Sequence, residues 1–260
     1  MKAVVWLTVI GLVAVPVLAD WPHVIKWDQT AYGVDNWAGA SWIDYDTPSD
    51  ALTADDFWCD GLAEHAWISD VELYGYSQYG TTYLDAFRIQ FWSDVPATPD
   101  DASHPGSLLY SYDAYAADPN DPLKIGWHQP DPVNDPNRFK IDLPEDQWFY
   151  QGTGEKVLWI SIQGIMATDG YFDAFYWYFQ DRTFPTWGDD AAFTSDYFGY
   201  LPWYNWGFPS GDMAESPDLY DGLLPTDWFG SADMVFKLTA IPEPSGLLLL
   251  GLGLFALRRR

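Results

Sequence analysis

The sequence has 260 residues, of which 12 are Lys or Arg and 38 are Asp or Glu, and its formal net charge is −26. Between Asp20 and Ile241, which leaves out the two terminal segments described below, 8 basic residues stand against 37 acidic ones, a net charge of −29. A charge of this size and sign repels phosphate backbones, so nucleic-acid binding is excluded. The length suits a single all-β domain, and neither a linker nor a repeat of fixed period divides it.

The first 19 residues predict a secretory signal peptide. Lys2 gives a short positive start, an apolar run extends from Ala3 to Val15, and Pro16 ends that run. Val17, Leu18 and Ala19 form an A-x-A-like cleavage site, so we expect signal peptidase to release a mature chain that begins near Asp20. A permanent N-terminal anchor is the alternative, and the cleavage site favours the signal peptide.

Short segments of alternating apolar and polar residues follow, separated by Pro, Gly, Asp and Asn. Alternation with a period of two is typical of strands that bury one face. The apolar positions are Ile68, Val71 and Leu73; Phe87, Ile89 and Phe91; Phe139, Ile141 and Leu143; and Met234, Phe236 and Leu238. The segment from Val157 to Ile162 is apolar on both faces, as in a central strand. The sequence therefore predicts an all-β single domain over residues 20–241, a β-sandwich or jelly roll.

Cys59 is the one cysteine in the sequence, so no disulfide can form within the chain. A free thiol in an exported protein is either buried or available for a cross-link between molecules. The neighbouring Phe57 and Trp58 favour a buried Cys59.

Three acidic loops are candidate sites for Ca²⁺, because carboxylates and loop carbonyls are the oxygen ligands that this ion takes. They read VPATPDDASHPG, DAYAADPNDPLK and QPDPVNDPNR. No EF-hand fits, since Val133 occupies the third position counted from Asp131. Two interpretations remain open: solvated turns, or a weak structural Ca²⁺ site at Asp118, Asn120 and Asp121. No other cofactor is indicated.

The 16 Trp, 17 Tyr and 15 Phe are the most unusual feature of the composition, and they crowd between Tyr171 and Phe208. Phe175, Trp177 and Phe179 alternate as in a strand that packs the core.

Trp203, Tyr204 and Trp206 stand among Pro, Gly and Asn, which predicts a loop. This loop either packs onto the sandwich or, with Trp187 nearby in the sequence, forms a contact surface for polysaccharide. The second interpretation rests on the flat rings, which stack on the apolar face of a sugar.

Catalytic motifs are lacking in the sequence. It contains no G-x-S-x-G, no H-E-x-x-H and no Gly-rich phosphate loop, and its four His are isolated. Asp189 and Asp190 resemble a glycosidase carboxylate pair, but adjacent aspartates arise by chance in so acidic a chain. We therefore expect a non-catalytic surface or matrix protein, with an extracellular glycan-acting hydrolase as the alternative. The hydrolase would need two carboxylates that face each other across a cleft, at least one with a perturbed pKa.

The end of the chain combines three features in order. Pro242, Glu243 and Pro244 come first, and the two prolines favour extended backbone around the glutamate. The 12 uncharged residues from Gly246 to Leu257 follow; as a helix they cover roughly 18 Å of a hydrocarbon core of about 30 Å. The chain ends with Arg258, Arg259 and Arg260, and clustered Arg is retained on the cytoplasmic side, which leaves the body outside.

This tail resembles the PEP-CTERM sorting signal of Gram-negative bacteria, over about the last 20 residues. The resemblance implies processing at the Pro-Glu-Pro site by an exosortase-type transpeptidase of the inner membrane. It also implies transient insertion of the apolar run and delivery of the body to the cell surface or the exopolysaccharide matrix. A simple C-terminal anchor is the alternative, and the shortness of the apolar run disfavours it.

Five segments of the body carry a second resemblance: LTADDFWCDG, ISDVELYGY, FRIQFWSDVP, HPGSLLYS and WGDDAAF. They are similar to an uncharacterised β-rich domain found in secreted PEP-CTERM proteins. The resemblance implies the fold and brings no established activity.

Overall fold

The structure is a computed structural model, and it describes residues 23–30, 34–44, 49–62, 65–78, 80–98, 103–118, 125–167, 174–180, 191–195, 200–205 and 233–242. In these ranges the chain forms strands joined by turns, some of them short 3-10 turns, and no α-helix. The strands are β1 Val24–Asp28, β2 Val34–Ala40, β3 Trp42–Asp44, β4 Ser49–Cys59, β5 Trp67–Ser77, β6 Leu84–Val95, β7 His104–Tyr115, β8 Trp127–His128, β9 Arg138–Asp142, β10 Phe149–Tyr150, β11 Lys156–Met166, β12 Phe175–Gln180, β13 Ala192–Ser195, β14 Tyr200–Asn205 and β15 Phe236–Ile241.

Two sheets pack face to face, which confirms the predicted sandwich. The first has the order β1-β15-β5-β12-β2, with β9 and β10 also paired to β5, and β8 paired to β9. The second has the order β14-β13-β4-β3-β11-β6-β7. In it β11 pairs with β3, β4 and β6, so the segment from Val157 to Ile162 lies in a central strand, as its apolar pattern predicts.

The core between the sheets is largely aromatic. The predicted inward positions Phe87, Ile89 and Phe91 are fully buried. Phe91 of β6 stacks on Phe149 of the other sheet, with ring centroids 4.2 Å apart, and Phe87 meets Phe175 edge to face at 4.9 Å. Ring pairs of this kind add about 0.5–1.5 kcal/mol each beyond the apolar area they bury. The other predicted apolar positions are buried as well: Ile68, Val71, Leu73, Phe139, Ile141, Leu143, Met234, Phe236 and Leu238.

Cys59 ends β4 and is fully buried, with its Sγ 3.8 Å from the carbonyl oxygen of Gly154. This confirms the prediction of a structural thiol, because a side chain in this position is withdrawn from cross-links between molecules.

The predicted loop around Trp203 and Tyr204 is wrong, because both residues belong to strand β14. This strand pairs antiparallel with β13, with Tyr204 opposite Phe193. Pro202 is compatible with it because β14 lies at the edge of its sheet, where proline is tolerated. The Pro, Gly and Asn residues of this segment are typical of a loop, but its pairing with β13, from which four residues separate it, makes it a strand.

Candidate functional site

The outer face of the first sheet concentrates polar and aromatic side chains along its central strand. Val71 and Leu73 of β5 enter the core, so Asp70, Glu72 and Tyr74 point to the opposite face. Tyr76 continues that row and is 37% exposed. At about 3.3 Å per residue, the row from Asp70 to Tyr76 is about 20 Å long.

Six charged residues form what we call the charge ladder across β9, β5 and β15. Asp70 lies opposite Asp142, and Glu72 lies opposite both Lys140 and Lys237. Lys140 Nζ contacts Asp142 Oδ1 at 2.6 Å and Asp70 Oδ1 at 3.3 Å. Glu72 Oε2 accepts from Arg138 Nη2 at 2.9 Å and lies 3.2 Å from Lys237 Nζ. Three cations therefore neutralise three carboxylates on this face.

The equal number of positive and negative side chains in the charge ladder contrasts with the acidic composition of the body. Arg138, Lys140 and Lys237 are three of the eight Lys and Arg between residues 20 and 241, where the net charge is −29. The ladder is therefore a nearly neutral area on a strongly acidic body. An anionic ligand that approaches here meets less repulsion than it would over the average surface.

The pKa values of the two aspartates of the ladder are shifted in opposite directions. Burial, which would raise the pKa of Asp70, is outweighed by hydrogen bonds with Asp142 and Ser69 and by the charges of Lys140 and His23, so that pKa lies below its usual range. Burial and the hydrogen bond with Asp70 together raise the pKa of Asp142, against the effect of Lys140. Asp142 thus takes up a proton before Asp70 does as the pH falls.

A surface depression of about 360 Å³ lies over the ladder. His23 closes one side of it, with Nδ1 3.1 Å from Asp70 Oδ2 and 3.3 Å from Ser69 Oγ. Its lining consists of His23, Ile25, Asp70, Glu72, Lys140, Lys237 and Thr239. Donors, acceptors and one aliphatic side chain therefore surround a space that a hydroxyl-rich group can enter.

A group of three tyrosines, which we call the tyrosine cluster, adjoins the ladder. Tyr76 stacks on Tyr176 of β12, with centroids 5.0 Å apart and planes at 15°, and its ring lies 5.5 Å from that of Tyr178. Asn137 Nδ2 donates to the Tyr178 hydroxyl at 3.4 Å. Burial raises the pKa of both Tyr76 and Tyr178 above the ordinary value of 10.

The aromatic site predicted from the sequence is only partly within the described residues. Trp203 is half-buried, and its ring meets that of Trp92 edge to face at 6.0 Å. Tyr204 lies in β14, while Trp187 and Trp206 are outside the described residues. The β5 row is not a predicted site, although the alternation of apolar and polar residues in WISDVELYGYS contains its signal.

The predicted Ca²⁺ site is likewise only partly described. Asp118 is described, whereas Asn120 and Asp121 are not. Among the described residues, no group of three His, Cys, Asp or Glu side chains is arranged to hold a metal ion. The Ca²⁺ site at these three residues stays a prediction.

The other predicted positions lie mostly outside the described ranges. They are the signal peptide, Asp189 and Asp190, Glu243, Pro244, Arg258, Arg259 and Arg260. Pro242 is described and follows β15 directly. Within the part of the chain that the structure describes, no helix is long and apolar enough to cross a membrane.

Comparison with known families accounts for both parts of the chain. Residues 25–239 match the model of a family described as a domain of unknown function, DUF7901. The chain belongs to the DUF7901 family. In this member, residues 240–260 match the PEP-CTERM protein-sorting motif, which confirms the resemblance of the tail. No curated protein and no solved structure matches the chain.

The sorting motif carries the functional information that the comparisons give. A PEP-CTERM motif implies that an exosortase-type enzyme processes this DUF7901 protein and that sorting through the membrane delivers it to the cell surface or the extracellular space. The family of the body assigns no activity.

Proposed function

We propose that this protein is a non-catalytic component of the bacterial surface or exopolysaccharide matrix, and that it binds polysaccharide on the outer face of its first sheet. The observation that carries the proposal is the ring of Tyr76, which is 37% exposed and stacks on the partly buried Tyr176 on the face that carries the charge ladder. The sorting motif supports it independently, since it sends the body to the place where such polymers are found.

The chemistry of the face suits sugars. A tyrosine ring offers a flat apolar surface to the apolar face of a pyranose, and it loses little conformational entropy on binding because it has few rotatable bonds. The ladder offers carboxylates that accept and ammonium groups that donate, and charge-assisted hydrogen bonds are stronger than neutral ones. The cross-strand ion pairs hold these groups in place before a ligand arrives, which lowers the cost of ordering them.

Electrostatics favours neutral polysaccharides over acidic ones. A uronate chain would meet the field of a body with a net charge of −29, while the ladder itself offers no excess of positive charge. An acidic polymer would bind only where Ca²⁺ bridges it to the protein, for example at the predicted Asp118, Asn120 and Asp121 site.

The hydrolase alternative finds less support on this face. Asp70 and Asp142 have opposed pKa shifts, as a catalytic pair would, but they share a hydrogen bond and both contact Lys140. The carboxyl groups of a glycosidase stand about 5–9.5 Å apart, with the sugar between them. Two carboxyls in direct contact leave no room for that substrate, so the pair suits a structural ion network better.

Affinity electrophoresis through gels that contain neutral or acidic polysaccharides tests the proposal. We expect the wild type to be retarded by a neutral polysaccharide and Tyr76→Ala to lose that retardation, because the stacking ring is removed. Tyr115→Ala is the matched control, since Tyr115 is 63% exposed in the other sheet and should be dispensable.

Two further measurements decide whether the aromatic segment around Trp203 binds the polysaccharide and whether Ca²⁺ is required. Trp203→Ala and Trp206→Ala test the other interpretation of the aromatic segment, as a contact surface for polysaccharide, and added EDTA tests whether Ca²⁺ is required. The proposed face is refuted if folded Tyr76→Ala migrates like the wild type in every gel that retards the wild type. The proposed function itself is refuted if no polysaccharide retards the wild type.

A further inference from the structure

Both ends of the described chain leave the sandwich at the same place. β1 and β15 are antiparallel neighbours with Val24 opposite Ala240, so the start of β1 lies beside the end of β15. Ile241 lies opposite Trp67, the first residue of β5. We call this end of the sandwich the terminal end. It is the side from which the predicted signal peptide and the matched sorting motif both extend.

The second sheet reaches the same end. β4 finishes at Cys59, and the connection that follows it passes to the start of β5. Lys26 of β1 binds Asp60 of that connection at 3.1 Å. Gly61, with φ of 67°, lies so close to Gly154 that an added Cβ would be 2.5 Å from its backbone nitrogen. The terminal end is therefore a compact surface to which both sheets contribute.

Exposed apolar side chains surround this surface, and we call them the apolar rim. They are Trp58, Leu62, Val95 and Tyr150, each with 37–49% of its surface exposed. Tyr150 of β10 pairs with Trp67 across the strands, and their rings are 4.7 Å apart. Trp and Tyr rings of this kind favour the boundary between water and lipid, where the ring meets an apolar phase and its polar atom stays wet.

Chain length places this rim close to the membrane. The uncharged run of the sorting motif begins at Gly246, four residues after Pro242. Four fully extended residues span at most about 14 Å. When the run lies in the bilayer, the terminal end is therefore within about 14 Å of it, less than the length of β5.

We propose that the terminal end docks on the lipid surface while the tail is inserted, with the apolar rim at the interface, so that the folded body is presented to the processing enzyme in one orientation. The charge of −29 opposes stable binding of the body alone to an anionic surface. The inserted tail supplies the proximity instead, because tethering raises the effective concentration of the rim at the membrane.

Site-specific fluorescence tests this proposal. The protein with its tail intact, produced in a host without an exosortase-type enzyme, is reconstituted through the tail into phosphatidylcholine vesicles. Leu62→Cys, Tyr150→Cys and Tyr115→Cys are each labelled with an environment-sensitive fluorophore. Cys59 is buried, and the parent protein measures any labelling of it. Tyr115 is the control because it lies opposite Ala86, at the far end of β6 from Val95.

We expect the labels at positions 62 and 150 to shift to shorter wavelength in vesicles and to lose emission to a lipid-borne quencher, while the label at position 115 does neither. Equal behaviour at all three positions, or quenching at position 115 alone, overturns the proposal. The experiment contains no polysaccharide, so its outcome is independent of the proposed sugar-binding function.

Discussion

Asp55 is a fully buried acid of the core, and its carboxylate lies between the two sheets. It is fully buried in β4, and its Oδ2 accepts from the backbone N–H of Met234 at 2.8 Å. With its amide nitrogen turned towards Asp55, Gln29 donates to the same oxygen at 3.2 Å and to the Met234 carbonyl at 3.0 Å. This side chain therefore links β4 to the segments that adjoin β1 and β15.

Burial, with added repulsion from Asp233 and Asp56, raises the pKa of Asp55 well above its ordinary value of 3.8. These effects outweigh the hydrogen bonds that the backbone N–H groups of Met234 and Asp56 donate to Asp55, which lower its pKa. The folded protein therefore binds this proton more tightly than the unfolded chain does. The stability that Asp55 contributes is complete below pH 3.8 and is lost as the pH rises through the raised value.

Asp55→Asn removes this titration while keeping the shape and one acceptor. We expect the free energy of unfolding of the variant to exceed that of the wild type by an amount that grows from about pH 4 upward and reaches the order of 1 kcal/mol. Urea unfolding at several pH values measures it. Asp85→Asn, on an exposed carboxylate of β6, is the matched control. A variant less stable than the wild type at neutral pH would contradict this account.

A substitution at Glu72 tests whether the charge ladder stabilises the fold. Its carboxylate is 7% exposed and binds both Arg138 and Lys237. Glu72→Gln leaves two partly buried cations without their counter-charge, so we expect a loss of about 1–3 kcal/mol in the free energy of unfolding at pH 7. Glu145→Gln, on an exposed turn, should change stability by less than about 0.5 kcal/mol. Equal denaturation midpoints for the two variants would show that the ladder does not stabilise the fold.

Neither Asp55 nor the ladder could be identified from the sequence. In LTADDFWCDG the two adjacent aspartates are both buried, and what distinguishes Asp55 is its contact with Met234, 179 residues further along the chain. The ladder joins residues 70, 72, 138, 140, 142 and 237, which lie close together because β9 and β15 both pair with β5. Alternation within one strand carries no information about such partners.

At the scale of elements, the sequence predicted strands where one face is apolar, and it wrongly predicted a loop at β14, where pairing decides. Phe87, Ile89 and Phe91 alternate with polar residues, and that local pattern is sufficient to place them in the core. β14 carries Pro202 and lies at a sheet edge, so its pattern resembles a loop until β13 is placed beside it. Local periodicity thus identifies strands that face the core better than strands at an edge.

β15 joins β1 to the rest of the first sheet, because it is paired on both sides, with β1 and with β5. Leu238→Ala removes a fully buried side chain from it, and we expect a loss of about 2–5 kcal/mol in the free energy of unfolding. Thr239→Ala, one residue further on the outer face, should cost far less. Urea denaturation of both variants measures the difference; similar costs would mean that β15 is not held by its core-facing side chains.

At the scale of the whole molecule, the tail can be interpreted from the sequence alone, whereas the contact face of the body can be identified only from the fold. The tail carries its destination in local sequence, so it was recognisable without a structure, and the family match confirms it. The body carries no catalytic motif, and its candidate contact face arises only when β5, β9, β12 and β15 lie side by side. The destination was therefore predictable from the sequence, while the location of the proposed sugar-binding face was not.

The central claim is that a folded β-sandwich is exported and then processed at its tail. Intact-mass measurement of the native protein from the extracellular or surface fraction tests it most directly. We expect a chain that begins near Asp20 and from which the segment after the Pro-Glu-Pro site is absent or replaced. Recovery from that fraction of a protein that still ends in Arg260 would contradict the claim.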